Sequence, residues 1–329
     1  MTRPSICFAI CLFAAGTVEA GPLNKAWVGR GAEWVVHVDV EAGLGSTLGR
    51  YIREHHEELG IDDIERIRRE TGMDPFGDVK GLTIYGSERN ASDGIAILQT
   101  TAAVEKLIER IRAKDATFKQ VEEGGLTLYT WSEHGRSRFA HVRPGPDGDR
   151  LVVVAPERAR LLEGIAVVDG KAPALAGRED GVIGRTPKAG SVVFAAANKM
   201  PNSEAAPFQN AESFAMDVGE AEGEMFAEVL LVSKTTEDAS NLAKVMQGGI
   251  ALLKMWAANE AQAAELQPLV KMADAVTFAS EENRVTAALR CRADTVLESF
   301  KGVAEAKSRL KPAGEPSGAT KVNGGSESR

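Results

Sequence analysis

The residues whose types and spacing first suggest chemistry stand in the N-terminal third. Gly43-Leu44-Gly45-Ser46-Thr47-Leu48-Gly49 follows a strand pattern and opens a helical one, the place where a glycine-rich turn cradles a dinucleotide phosphate. Its glycines miss the G-x-G-x-x-G spacing by one residue, and helix and hairpins follow it instead of a βαβ repeat. The segment therefore reads as a glycine-rich turn with Ser46 capping the next helix. His37 and Asp39 alternate on one strand face, which suits a ligand and base or an acid/base couple. No third group is spaced to join them, so the pair is expected to be solvated or locally satisfied. His55-His56-Glu57 has the opening of a zincin helix, but position 60, where the second metal-binding His would follow His56, is Gly60. Adjacent helical residues point about 100° apart, which makes His55 and His56 poor joint ligands and predicts a packed His55 beside an exposed His56.

The other reactive types have ordinary structural readings. Cys291 lies between Arg290 and Arg292, which lowers a thiol pKa when it is exposed, but it shares a strand face with Leu289 and Ala293 and is expected to be a buried structural thiol. No serine sits in a G-x-S-x-G elbow, and Ser308-Arg309-Leu310-Lys311 has the S-x-x-K spacing only at the edge of the tail. Asp62-Asp63 falls at a helix start and Glu122-Glu123 and Glu281-Glu282 in hairpin turns, where carboxylates serve solvation and the helix dipole. Asn90-Ala91-Ser92 is a formal glycosylation sequon, which by itself carries little weight. No catalytic, cofactor-binding or metal-binding residue is nominated.

The elements that would position any site begin after an export signal. Arg3, the apolar run Ile6 to Ala15 and Val18-Glu19-Ala20 before Gly21 form a basic region, an apolar stretch and a small-residue cleavage site. The run is about half the length needed to span a bilayer. Cys7 and Cys11 fall within residues 1–20, so cleavage leaves Cys291 alone and excludes an intramolecular disulfide. Cys11 is badly placed for lipidation. A net charge of −8 provides no basic field for nucleic acid or anionic lipid. With 43% apolar residues, the mature chain can bury one large core or two smaller ones.

Residues 21–32 read as a leader. Trp34 to Val40 alternates as a strand, with Trp34, Val36, Val38 and Val40 on one face and Val35, His37 and Asp39 on the other. Leu48, Tyr51, Ile52, His55 and Leu59 have helical spacing, and a second helix runs from Asp62 to about Thr71. The turn Asp74 to Asp78 leads to a hairpin, Gly81–Gly86 with Gly94–Gln99. A helix with Val104, Leu107, Ile108 and Ile111 on one face follows. Two hairpins come next, Phe118–Val121 with Leu126–Trp131 and Phe139–Arg143 with Leu151–Ala155, then a helix from Pro156 to about Ile165.

Residues 168–189 mix Gly, Pro and charge and read as a linker. The order then repeats. A strand at Ser191–Ala197 and the hairpin Ser213–Val218 with Met225–Val232 precede a helix opened by Thr235 to Asp238. Ala239, Leu242, Val245, Met246, Gly249, Ile250 and Leu253 form the apolar face of that helix. A hairpin, Val276–Ala279 with Val285–Cys291, and a helix from Asp294 to about Ala306 close the series. Residues 33–167 and 190–310 are thus expected to be two related α+β units of antiparallel hairpins, each with amphipathic helices on one sheet face. The first should carry two extra elements, the helix from Asp62 to Thr71 and the hairpin Phe139–Ala155. Residues 311–329 are expected to be a disordered tail.

The signal region, Gly72-Met73-Asp74-Pro75-Phe76-Gly77-Asp78-Val79-Lys80-Gly81-Leu82-Thr83-Ile84-Tyr85-Gly86, Val167-Val168-Asp169-Gly170 and Met246-Gln247-Gly248-Gly249 together resemble uncharacterised exported proteins of planctomycete-type bacteria. The resemblance implies export and a regular fold, and brings no activity, cofactor or site residue. The expectation is a non-catalytic protein of the bacterial envelope, periplasmic or extracellular, that binds a protein or small ligand. An enzyme with a dispersed site and an assembly protein are the alternatives. An exposed apolar surface favours the binder, converging His and carboxylates the enzyme. No nucleic acid, membrane span or cofactor is expected.

Overall fold

The computed structural model describes residues 23–57, 59, 63–87, 93–133, 135–199, 210–257 and 270–310, with side chains of the last helix to residue 301. The expected signal segment and the tail lie outside the described residues, as do Asp62 and the sequon. Twelve strands form one antiparallel sheet. The first unit contains β1 (Trp34–Asp39), β2 (Val79–Gly86), β3 (Ile95–Thr100), β4 (Lys119–Glu123), β5 (Leu126–Glu133), β6 (Arg136–Pro144) and β7 (Arg150–Ala155). The second contains β8 (Ser191–Ala197), β9 (Ala211–Ala221), β10 (Glu224–Ser233), β11 (Val276–Glu281) and β12 (Arg284–Arg292). The helices are α1 (Val40–Gly45), α2 (Thr47–His55), α3 (Asp63–Thr71), α4 (Val104–Lys114), α5 (Arg158–Val168), α6 (Thr236–Ala257) and α7 (Ala293–Leu310). The protein is α+β.

The strand order is β11-β12-β10-β9-β8-β1-β2-β3-β7-β6-β5-β4. The first strands of the two units, β1 and β8, are therefore central neighbours, with Trp34 opposite Ala197 and Val38 opposite Val193. In each unit three strands run outward from this seam, a helix follows the third, and the chain's last strand returns beside the third: β7 beside β3, β12 beside β10. The hairpin β6–β7 thus takes the place that β11–β12 takes in the other unit. The pair without a counterpart is β4–β5, not Phe139–Ala155.

Cα register fixes the two faces. One row crosses the sheet through Leu128, His141, Val153, Ile97, Thr83, His37, Phe194, Asp217 and Glu228. The next row, on the opposite face, runs through Ala140, Val154, Ala96, Ile84, Val36, Ala195, Met216, Val229 and Ala287 and is apolar throughout. The central helices cover this apolar face: Val104 of α4 packs with Ala140 and Val152, and Ala239 and Leu242 of α6 pack with Leu231 and Val285. Helix α5 is the exception, because Leu161 and Ile165 pack with Val35, Ile95, Ile97 and Val153 on the His37 face.

That face carries the largest core, and two segments expected to be connections are part of it. Val28, Leu175 and Ile183 are fully buried, Gly29 bridges Ala174, and Leu175 N–H donates to Val28 O at 2.7 Å. Burial of such side chains contributes about 1.5–3 kcal/mol each, so 168–189 is a wall of the core and not a linker. The Asp74–Asp78 turn is a second brace. Asp78 Oδ2 accepts from Asp74 N–H at 2.7 Å, Asp78 Oδ1 accepts from Thr101 Oγ1 at 2.6 Å, and Asp74 is bridged by Arg68 at 2.9 Å. One short turn thereby fixes α3, the start of β2 and the joint between β3 and α4. Glu122 and Glu123 belong to β4, and its hairpin turns on Gly124-Gly125 alone, both at positive φ (58° and 78°), the conformation a two-residue type I′ turn requires.

Candidate functional site

The alternation of β1 aims Val35, His37 and Asp39 inward and leaves Trp34, Val36 and Val38 half-buried on the other face. His37 Nδ1 lies 2.9 Å from Thr83 Oγ1, its register partner on β2, and His37 Nε2 is buried with no partner among the described residues. Burial pushes the imidazole down to about 4, so it is neutral at ordinary pH. Asp39 ends the strand and caps α1, accepting from Ala42 N–H at 2.8 Å. Burial pushes its carboxyl up to about 6 against the pull of that N–H, with Glu41 adding to the rise. Each group has its own local partner, as a structural pair requires.

The glycine-rich turn is explained by packing. Ser46 caps α2, accepting from Gly49 N–H at 3.0 Å. A Cβ on Gly49 would fall 2.0 Å from Gly43 O, so glycine lets α1 and α2 approach each other. The N-terminus of α2 is also occupied: the Glu220 carboxylate of β9 accepts from Thr47 N–H at 2.6 Å and from Thr47 Oγ1 at 2.7 Å. An anion does sit at this helix start, as the helix dipole favours, and the chain itself supplies it.

His55 stacks on Tyr51 with ring centroids 4.4 Å apart. His56 is half-buried against Phe76, centroids 5.5 Å apart, with Nδ1 at 3.0 Å from Arg53 O, so the expectation of an exposed His56 is corrected. Cys291 is half-buried, not fully enclosed, and burial followed by Glu224 raises its pKa. Both flanking arginines are paired with carboxylates, Arg292 with Asp294 at 3.1 Å and Arg290 with Glu224 at 3.8 Å. His37, Asp39, His55 and the glycines near position 45 therefore occupy separate local environments. Among the described residues no group of three metal-ligating side chains converges.

Two surface features remain. On the His37 face of β10, β12 and β11, a cleft of about 270 Å³ is lined by Phe226, Glu228, Thr277, Ala288, Lys188 and Arg290. Its charges are mostly paired: Glu228 accepts from Lys188 at 2.5 Å and from Arg185 at 3.1 Å. The second feature is α6. Thr235 Oγ1 accepts from Asp238 N–H at 3.0 Å and opens the helix, and Ala239, Leu242 and Ala243 bury its first half. The second half changes character. Val245, Leu252, Met255 and Trp256 are 49, 53, 60 and 63% exposed, and they are four of the five large hydrophobic residues most exposed among those described. Val245 and Gly249 thus leave the inner face on which sequence spacing had put them. The missed signal was crowding: an inner stripe already filled by Ala239, Leu242, Ala243 and Met246 has no room for a wider apolar arc.

These features define an α+β protein built on one continuous antiparallel sheet with an apolar helix flank open to solvent. No protein-family model and no curated protein matches the chain. The solved structures similar to the chain include crystal forms III, IV and I of TP0453. Their sequence identities are 10, 9 and 13% and their TM-scores 0.45, 0.43 and 0.40. The similarity covers 86, 85 and 87% of this chain and 99, 98 and 98% of those chains. Overlap of that degree carries no functional information.

Proposed function

We propose that this chain is an exported, non-catalytic protein of the bacterial envelope that binds a protein partner through the outer flank of α6. The observation that carries the reading is the concentration of Val245, Leu252, Met255 and Trp256 on one exposed helix. Single exposed apolar residues are commonplace, but several on one helix, Trp among them, have the composition of a protein-binding hot spot. Export is supported by the basic, apolar and small-residue pattern of residues 1–20. The shared strand order of the two units supports their origin from one duplicated unit, which supplies a scaffold and not a site.

The test is expression of the full chain in a bacterium with a photo-crosslinking residue at position 256 or, as control, at Val121 on the β4 edge. A discrete protein adduct from position 256 and none from 121, on a product whose mass begins at Gly21, is the expected result. Abundant exported protein without an adduct at 256 would overturn the binding reading. Retention of an intact N-terminus in the cytoplasm would overturn export.

A further inference from the structure

We propose that the cleft on the His37 face of the second unit binds a free α-amino acid with an apolar side chain, at a site separate from α6 and on the opposite side of the sheet. The two units treat that face differently. In the first, α5 follows the last strand and lays Leu161 and Ile165 over Val153 of β7. In the second, α7 follows β12 but turns to the other face. There Phe300 meets Tyr51 of α2 edge-on with ring centroids 6.3 Å apart, and Lys301 Nζ lies 4.7 Å from the same ring. Among the described residues no helix lies over β12 on the His37 face, and the hollow of about 270 Å³ stays open there.

The floor of the hollow is a square of four side chains. Register sets Phe226 of β10 opposite Arg290 of β12 and Glu228 opposite Ala288, so two opposite charges stand on one diagonal and two apolar groups on the other. Diagonal neighbours on paired strands are about 7–8 Å apart. The two charges do not neutralise each other: Glu228 is bridged by Lys188 and Arg185, and Arg290 leans outward to Glu224 at 3.8 Å. A molecule carrying both charges close together on an apolar body matches this square. Its carboxylate takes the planar fork of Arg290 in place of the loose, exposed contact with Glu224. Its ammonium donates to Glu228, whose oxygens keep acceptor sites beyond the bonds from Lys188 and Arg185. Its side chain lies over Ala288 and Phe226, with Lys188 Nζ, 5.8 Å from the Phe226 ring, as one wall. Thr277, opposite Ala288, is the other wall, its hydroxyl tied back to Ala288 O at 3.2 Å. The charges around the hollow balance, Arg185, Lys188 and Arg290 against Glu224, Glu228 and the Asp217 that stands beside Glu228 on β9. A balanced set suits a zwitterion better than a simple anion or amine.

The experiment is calorimetric titration of the chain, purified after expression of the full sequence, with L-phenylalanine and L-leucine. Hydrocinnamate, which lacks the ammonium group, and phenethylamine, which lacks the carboxylate, are titrated beside them. At least one amino acid should bind below millimolar concentration, and each analogue at least about tenfold more weakly than phenylalanine, the loss of one charge-assisted contact. Arg290→Gln is on an exposed side chain, so it should keep the parent's melting temperature and weaken amino-acid binding at least about tenfold. Ala288→Leu fills the hollow and should abolish binding; if that variant melts lower than the parent, Arg290→Gln decides alone. No heat of binding from either amino acid at millimolar concentration would overturn the proposal. So would an analogue that binds as tightly as phenylalanine, or an Arg290→Gln variant that binds as tightly as the parent.

Discussion

Glu220 and Thr47 lie 173 positions apart in the chain, yet both carboxylate oxygens of Glu220 are held by Thr47, one through the backbone N–H and one through the hydroxyl. This bidentate contact carries β9 of the second unit to the start of α2 in the first. It is a clasp across the central β1–β8 seam.

Glu220→Ala should cost about 1–3 kcal/mol, since it removes two charge-assisted hydrogen bonds and leaves a helix N-terminus without its anion. Glu220→Gln should cost less, because an amide oxygen can still accept one of the bonds. Urea unfolding of both variants at neutral pH checks the order.

The pH dependence of β1 should be flat through cancellation. His37 titrates below its ordinary 6.5, near 4, so its contribution is complete above about 6.5 and is lost as pH falls toward 4. Asp39 titrates above its ordinary 3.8, near 6, so its burial penalty is full above about 6 and is relieved as pH falls toward 3.8. Each effect amounts to about 3 kcal/mol, with opposite sign. Asp39→Asn keeps the cap on Ala42 and should be more stable than the parent at pH 7 but lose stability between pH 6.5 and 4. His37→Leu should gain stability over the same descent. Denaturant midpoints at four pH values would show the slopes, and equal slopes in the two variants would contradict this account.

Among the described residues Lys80 and Asp149 form the most enclosed ion pair, 2.8 Å apart with 17 and 8% of their side chains exposed, and Gln99 donates to the same carboxylate at 3.1 Å. Lys80→Met should cost about 3 kcal/mol because it leaves Asp149 buried beside a weak partner. Lys80→Met with Asp149→Leu should recover much of that loss, measurable as a higher melting temperature than the single variant.

Glycines should divide by their surroundings. Gly49→Ala forces a Cβ against Gly43 O and should unpack α1 from α2. Gly248→Ala and Gly249→Ala meet open space in a helix interior and should each stabilise the isolated chain by about 0.5–1 kcal/mol. Thermal unfolding of each variant beside the parent reads both signs.

Much of the local structure was legible because its signals are local. The alternation of β1, the Thr235–Asp238 cap and the turn at Gly124-Gly125 each follow from neighbouring residues. Residues 168–189 were misread because Leu175, Val182 and Ile183 are spaced by a docked loop's path and not by a helix or strand period. The pairing of β1 with β8 and the clasp of Glu220 on Thr47 leave no periodic trace at all. At the candidate surface, the apolar character of α6 was readable, whereas the half of that apolar arc facing outward depended on what already filled the inside.

The central position of β1 has a consequence for the order of assembly. A ribosome releases β1 some 150 residues before β8 exists, and until then the strand is a bare edge with one side apolar and the other ending in His37 and Asp39. A unit cut off after α5 would be an unfinished sheet inviting intermolecular pairing, so truncation there should yield aggregate and not a small domain. Closing the seam joins strands far apart in sequence, a contact whose loop-closure cost makes it a slow, late event. For this topology, a delay in folding until both halves are available together is a protection.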